Sequence, residues 1–555
     1  MYENGSTPRQ IADRYVETLA DLNPVVGTAL GIRPGSDAMP DFSPDGREAL
    51  ADAQRAVLTE LAVAERGDLP VVERRAARLL RERLTATLAV HDAGEGLREV
   101  NNLFSPAHSM RSVFLLMPQE SGDDWAVIAR RLARIPEAVR SCRASLEKGM
   151  SDGLLAPARQ AETVVAQLTT WVRTAWYREF VAAGPDALWT ELTGAADVAT
   201  AALDELRGFL SDVYAPAAQE APDAVGRDRY ARWARYWTGA DLDLDDAYAY
   251  GWAEYHRLRE EIDKAATAIL PGASPMQVMR HLHEHGEAIH GEEEIRRWLQ
   301  DLMDRAIEDF DGTHVDLADP IKNVEAMIAP PGSAAAPYYT RPSLDFSRPG
   351  RTWLPTMGRD RFPTWDLVST WYHEGVPGHH LQLAQWVHVQ DTLSRYQVSV
   401  GSVSATTEGW ALYAERLVDE LGYLTDPAYR LGYLDAQMLR AVRVIIDIGM
   451  HVRLPIPAGS PFHPGETWTP HLGREFLRRH NGRDEEFIDS EIIRYLGLPG
   501  QAISYKLGER AWLDGRAAAR AARGDAFDLK AWHMAALSLG SLGLDDLADE
   551  LAKLP

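Results

Sequence analysis

The sequence predicts a mainly α protein, one large helical body with an internal cleft and a small β element near its functional site. Three observations carry that expectation. Apolar residues recur at three- and four-residue spacing over most of the first 310 positions, the period of helices with one buried face. The clearest break, residues 330–355 (PPGSAAAPYYTRPSLDFSRPGRTWLP), is too rich in proline for helix. Helical patterning then resumes at residue 364 and runs to the end, interrupted at 455–465 and 497–500.

Taken in order, residues 124–149, 154–183 and 187–213 read as long helices, and 243–269 as another. The last opens with DLDLDD, which puts acids where a helix dipole favours them. Within the proline-rich break, APYYT and RTWLP suit short strands. No repeat of 30–45 residues is evident, so a solenoid is not expected. At about 150 residues per domain, 555 residues would make three or four domains. The continuous helical signal favours one integrated unit instead. In it, residues 1–330 would form one wall of the cleft and 331–555 the catalytic half.

Composition narrows the function. Hydrophobic content of 45% with 25% charged residues is that of a globular chain. Fifty-eight basic against 82 acidic residues leave a charge of −24, which argues against nucleic acid and anionic membrane as partners. The chain opens with an acidic amphipathic segment rather than a basic leader, and no apolar run reaches about 18 residues, so the cytoplasm is the expected place. A single cysteine, Cys142, excludes an intrachain disulfide and a cysteine zinc cluster. Any metal site must therefore use histidines and carboxylates. Phosphate-binding glycine loops and a G-x-S-x-G elbow are not apparent.

The informative segment is TWDLVSTWYHEGVPGHH, residues 364–380. A helix from Asp366 to Tyr372 would end in His373-Glu374, the pair that opens the H-E-x-x-H zinc motif. In that motif the first His ligates the ion and the Glu serves as general base. The second ligand belongs at i+4, but Pro377 stands there. His380, at i+7, shares the face of His373 yet lies about 10 Å further along an ideal helix. The Gly375-Val376-Pro377-Gly378 break permits a two-residue bulge that would bring His379 to the i+4 relation. His379 is thus the expected ligand and His380 the alternate.

A carboxylate completes such a site. SATTEGWALYAE, residues 404–415, patterns as a helix with Glu408 and Glu415 on one face, two turns apart, and Thr406 or Thr407 as its cap. Glu408 is the expected ligand. Glu415 would hold a ligating imidazole by its other N–H, or the two would exchange roles.

HEGVPGHH, TTEGWALYAE, RAVRVIIDIGMH and LGLPGQAISYKLG together resemble the bacterial domain-of-unknown-function family numbered 885. The resemblance spans essentially the whole chain, with its specificity in residues 337–510. It places the chain beside zincin-type metallopeptidases, with the helical gluzincins carboxypeptidase Taq and dipeptidyl peptidase III as relatives; the latter's motif is also lengthened, by one residue. It implies His373, Glu374, His379 and Glu408 as site residues and implies no substrate.

Other residues complete the expected machinery. Helix 440–451 carries Arg443, a candidate for binding a substrate carboxylate, and His451, a candidate oxyanion donor oriented by Asp447. Gln501 and Tyr505 lie at i, i+4, with Tyr505 a second oxyanion candidate and Gln501 a substrate contact. Tyr339 would sit on a strand along which an extended substrate pairs. A second histidine group, His281, His283, His285 and His290, reads as a solvated polar helix.

The expected function is a zinc-dependent metallopeptidase or hydrolase acting on a peptide or small amide, with one zinc per chain. Two alternatives stand beside it: metal-dependent hydrolysis of a non-peptide amide or C–N bond, and a non-catalytic helical binding protein.

Overall fold

Helices begin where the sequence supplies a cap and a proline. Thr7 and Gln10 form a capping box ahead of Pro8–Leu22, and Ser274 and Gln277 do the same for Pro275–His285. The structure is a computed structural model that describes residues 6–330 and 336–555, so the PGSAA of the proline-rich segment lies outside the described residues. The protein is mainly α.

The chain forms two compact units, Met1–Val225 with Ser490–Leu498, and Gly226–Asp489 with Pro499–Pro555. The proline-rich segment lies inside the second unit. In the first unit, the stretch read as one helix over 124–149 is two, Gly122–Leu132 and Ile135–Ser151. Pro136 lacks the N–H that a continuous helix needs and starts the second instead. The 154–183 stretch divides likewise into Ala158–Arg173 and Trp176–Val181, with Ala175 left-handed between them. Trp125, Ile128, Leu132, Val139, Leu168 and Leu206 share this unit's core, which also encloses Cys142. Burial pushes that thiol up to about 12, as expected for an inert cysteine. Gln160 donates to the Ile493 carbonyl at 2.8 Å and so ties residues 490–498 to this unit.

Among the helices of the second unit, six frame the site: α1 (Leu244–Ile269), α2 (Leu367–Glu374), α3 (His379–His388), α4 (Ser404–Glu420), α5 (Pro427–Val452) and α6 (Ser504–Arg523). Helix α5 is buried along almost all of residues 431–451. It packs against α1 at Gly251, where a Cβ would lie 3.0 Å from Val444. Helices α4 and α6 meet glycine to glycine, Gly409 on Gly508, which lets the backbones touch. Lys506, fully buried on α6, donates to Gln437 at 2.6 Å and pairs with Glu254 at 2.9 Å and with Glu509, tying α1, α5 and α6 together. Breaking such a buried pair typically costs about 3–5 kcal/mol, because it strands a charge.

Among the described residues, five short strands accompany these helices. β1 (Ala288–His290) pairs antiparallel with β5 (Arg361–Pro363). β2 (Val324–Ile328), β3 (Tyr338–Thr340) and β4 (Gly350–Leu354) form a sheet in the order β2-β4-β3, with β2 parallel and β3 antiparallel to β4. The APYYT and RTWLP segments thus contain strands. Gln300, on helix Glu292–Phe310, accepts from Ala326 N at 2.8 Å and donates to Val324 O at 3.0 Å, closing the β2 side of the sheet. Among the described residues no strand borders the other side of β3, so it is an edge. No described helix is long and apolar enough to cross a membrane.

Candidate metal centre

The helix bearing His373 stops where the sequence breaks it. Helix α2 ends at Glu374 and α3 starts at His379, with Gly375–Gly378 as a turn between them. Gly378 N reaches back to Tyr372 O at 3.1 Å and His380 N to Gly375 O at 3.1 Å, steps longer than the α-helical one. The arrangement is a stop and restart rather than a bulge within one helix, but it delivers His379 as expected. A Cβ at Gly378 would collide with the His373 and Tyr372 carbonyls. Trp410 donates its indole N–H to Pro377 O at 2.9 Å and Gly378 O at 3.1 Å, pinning the turn to α4.

That clamp sets three donors on one point. Glu408 Oε2 lies 3.5 Å from His373 Nε2 and 3.4 Å from His379 Nε2, and the three donors all fall within 4.8 Å of one another. Zinc bonds of about 2.0–2.1 Å in a tetrahedron put ligand atoms roughly 3.3–3.4 Å apart. Both histidine–carboxylate separations fit that edge. His373 Nδ1 faces Glu415 Oε1 at 2.7 Å, which places its proton on Nδ1 and leaves the Nε2 lone pair for an ion. Two imidazole nitrogens and a carboxylate oxygen make a donor set suited to zinc.

The two glutamates of α4 take distinct roles. Glu408, with 23% of its side chain exposed, reaches both histidines, whereas Glu415 is fully enclosed and holds His373 from behind. Ser369 donates to Glu415 Oε2 at 2.6 Å, and Arg440 lies 3.9 Å from Oε1. Burial opposes the charge on Glu415, but Arg440 and His373 hold it below the usual carboxylate range. Burial likewise opposes charge on His373, yet hydrogen bonds to Glu408 and Glu415 push it up to about 10. Glu408 sits well below its ordinary value, because hydrogen bonds from His373 and His379 outweigh its burial. Glu374 differs: burial raises it, the direction a proton-transferring carboxyl needs.

His380 is not brought to the site. Its Nε2 donates to Ile321 O at 2.6 Å, so Nδ1 accepts from Tyr339 Oη at 2.9 Å, and burial drives it down to about 4. The Tyr339 hydroxyl makes that bond, and its backbone lies on the edge strand β3. His451 is fully buried near Asp447, at 3.9 Å, and against the Tyr230 ring. It stands eleven positions after Arg440, which faces Glu415, about 16 Å further along α5. Tyr505 is half-buried with Arg443 over its ring at 4.9 Å and Arg440 at 5.9 Å, which places it on the Glu415 side. Gln501 precedes α6 in a turn and so does not share a helix with Tyr505. The cap expected at Thr406 or Thr407 is absent, since α4 starts at Ser404 and Thr406 donates to Leu542 O. His281, His283 and His285 are exposed on their helix, as expected.

Sequence reasoning missed Ser369 and Trp410 and did not see Arg440 as the partner of Glu415. Ser369 was findable: it stands one turn before His373, on the same face.

The family described as bacterial protein of unknown function (DUF885) matches residues 24–551. The chain belongs to this family. No curated protein matches the sequence. The crystal structure of the "putative lipoprotein" from Colwellia psychrerythraea is similar to the DUF885 chain with a TM-score of 0.83 at 20% identity, covering 98% of both chains. A second "putative lipoprotein", from Shewanella oneidensis, gives 0.78 at 17% identity over 99% of this chain and 100% of that one. At such identities the likeness establishes the fold.

Proposed function

We propose that this DUF885 protein is a zinc-dependent hydrolase of peptide or peptide-like amide bonds, with a gluzincin-like centre. The observation that carries the reading is the convergence of His373 Nε2, His379 Nε2 and Glu408 Oε2 beside a buried carboxyl, Glu374, that is not among the three. A zinc ion held there would supply Lewis acidity toward water and a substrate carbonyl. Glu374 takes a proton from the attacking water and delivers it to the departing amine, work that its raised proton affinity favours. Glu415, braced by Ser369 and Arg440, keeps the His373 ring turned toward the site.

The unpaired edge of β3 favours an extended peptide over a compact amide, because an edge strand recognises main chain. Tyr339 joins that edge to His380, the residue next to the His379 ligand.

The test is Glu374→Gln in zinc-loaded protein, against a panel of short peptides and non-peptide amides. It should keep its zinc and lose about 10²–10⁴ in rate. A variant that keeps most of its activity would move the base elsewhere, and one that loses zinc would make Glu374 a ligand. Cleavage of non-peptide amides alone would favour the small-molecule reading. Action in the cytoplasm is part of the proposal, although the two fold neighbours carry the description "putative lipoprotein". Recovery in the envelope fraction after cell fractionation would refute that part.

A further inference from the structure

The sheet beside the metal centre presents two different faces. Gly350, Thr352 and Leu354 of β4 are buried, while Arg351 and Trp353 are half-buried on the opposite face. Register then sets side chains in rows across that outer face. Tyr338 stands opposite Trp353, and Trp353 opposite Met327. The Tyr338 and Trp353 rings are parallel to within 8°, with centroids 5.8 Å apart. The adjoining row is polar: Trp353 Nε1 donates to Thr340 Oγ1 at 3.0 Å, and Arg351 pairs with Glu325 at 2.8 Å. The first contact fixes the orientation of the indole, and the second cancels the nearby charge.

On the inner face Tyr339 points the other way, to His380. Side chains alternate along a strand, so a chain added at the open edge of β3 would continue both faces. Its residue opposite Tyr338 would project beside the Tyr338–Trp353 pair. The residues flanking that one would project toward the His380 side.

We propose that Tyr338 and Trp353 form a specificity subsite for an aromatic or large apolar side chain of an extended peptide substrate. The inference rests on the peptide-hydrolase reading, which makes the edge of β3 the rail for that substrate. Parallel rings half open to water take another flat apolar group by offset stacking. An ion pair already closed within the neighbouring row gives a charged side chain nothing to gain.

Two measurements on the full zinc-loaded chain test this. The first is binding of short blocked peptides to Glu374→Gln protein, with one position at a time varied among Phe, Leu, Ala and Asp. The second is kcat/KM for the same peptides with wild-type protein and Tyr338→Thr, a substitution that keeps β propensity and removes the ring. At one position Phe or Leu should exceed Ala by about 10- to 100-fold, the scale of apolar-pocket discrimination. Tyr338→Thr with its full zinc content should bring that ratio close to one. Equal binding and cleavage of the Phe and Ala peptides by wild-type protein would overturn the subsite while leaving the hydrolase reading standing. Binding of no peptide at all would overturn the hydrolase reading and the subsite with it. The wild-type ratio alone decides should Tyr338→Thr fail to fold.

Discussion

Replacing Glu415 by Gln removes one charge and almost no volume from behind the candidate metal centre. Glu415 is 1% exposed and touches three groups: His373 Nδ1 at 2.7 Å, Ser369 Oγ at 2.6 Å and Arg440 at 3.9 Å. The amide oxygen of Gln can still accept from the imidazole, and the Ser369 hydroxyl can turn to accept from the amide nitrogen. Geometry is thus kept, while a charge-assisted hydrogen bond becomes a neutral one of about half the strength. Loss of such a supporting partner typically lowers metal affinity about 10- to 100-fold. At about 1.4 kcal/mol per tenfold, that is roughly 1.4–2.8 kcal/mol. Ser369→Ala removes only a neutral donor and should cost less, whereas Glu415→Ala strands the imidazole N–H and should cost more. Competition against a chromogenic zinc chelator measures all three. Wild-type affinity in Glu415→Gln, or a larger loss in Ser369→Ala, would refute the assignment of Glu415 as the residue that orients His373.

Further expectations concern protons and packing. With no ion bound, His373 titrates at about 10 against an ordinary 6.5, so stability from its charged form is complete below 6.5 and is lost as pH rises through 10. Zinc needs the neutral ring, so its affinity should rise about tenfold per pH unit across that window, with close to one proton released per ion. Calorimetric titration in buffers of different ionisation enthalpy reads the released proton, and a flat affinity profile would contradict it. Gly409→Ala puts a Cβ against the Gly508 backbone and should cost about 1–3 kcal/mol, seen as a lower midpoint of thermal unfolding. An unchanged midpoint would show that α4 and α6 separate freely.

Much of the centre was legible because its signals are local. His373 and Glu374 adjoin, Pro377 forbids a plain helix between the histidines, and Glu408 and Glu415 share one helix face by spacing alone. His380 shows the limit of that reasoning. What excludes it is its bond to Tyr339, 41 residues away, and to the carbonyl of Ile321, 59 away, and no periodicity encodes either. The i, i+4 pair of His451 with Asp447 was legible in the same way, but not the Tyr230 ring that the His451 ring meets. The unit boundary was hidden as well. It depends on residues 490–498 returning to the first unit through contacts such as Gln160 with Ile493, more than 300 positions apart. Helix breaks at Pro136 and Ala175 fell within continuous apolar patterns, although the proline was there to be read.

The central claim is that His373, His379 and Glu408 hold one zinc ion. An anomalous-difference map from crystals of the purified protein, with data collected on either side of the zinc absorption edge, tests it directly. One peak per chain is expected, bonded to His373 Nε2, His379 Nε2 and Glu408, with Glu374 near but unbonded and His380 turned to Tyr339. A peak on His380, a peak at another cluster, or no peak in zinc-supplemented crystals would contradict it.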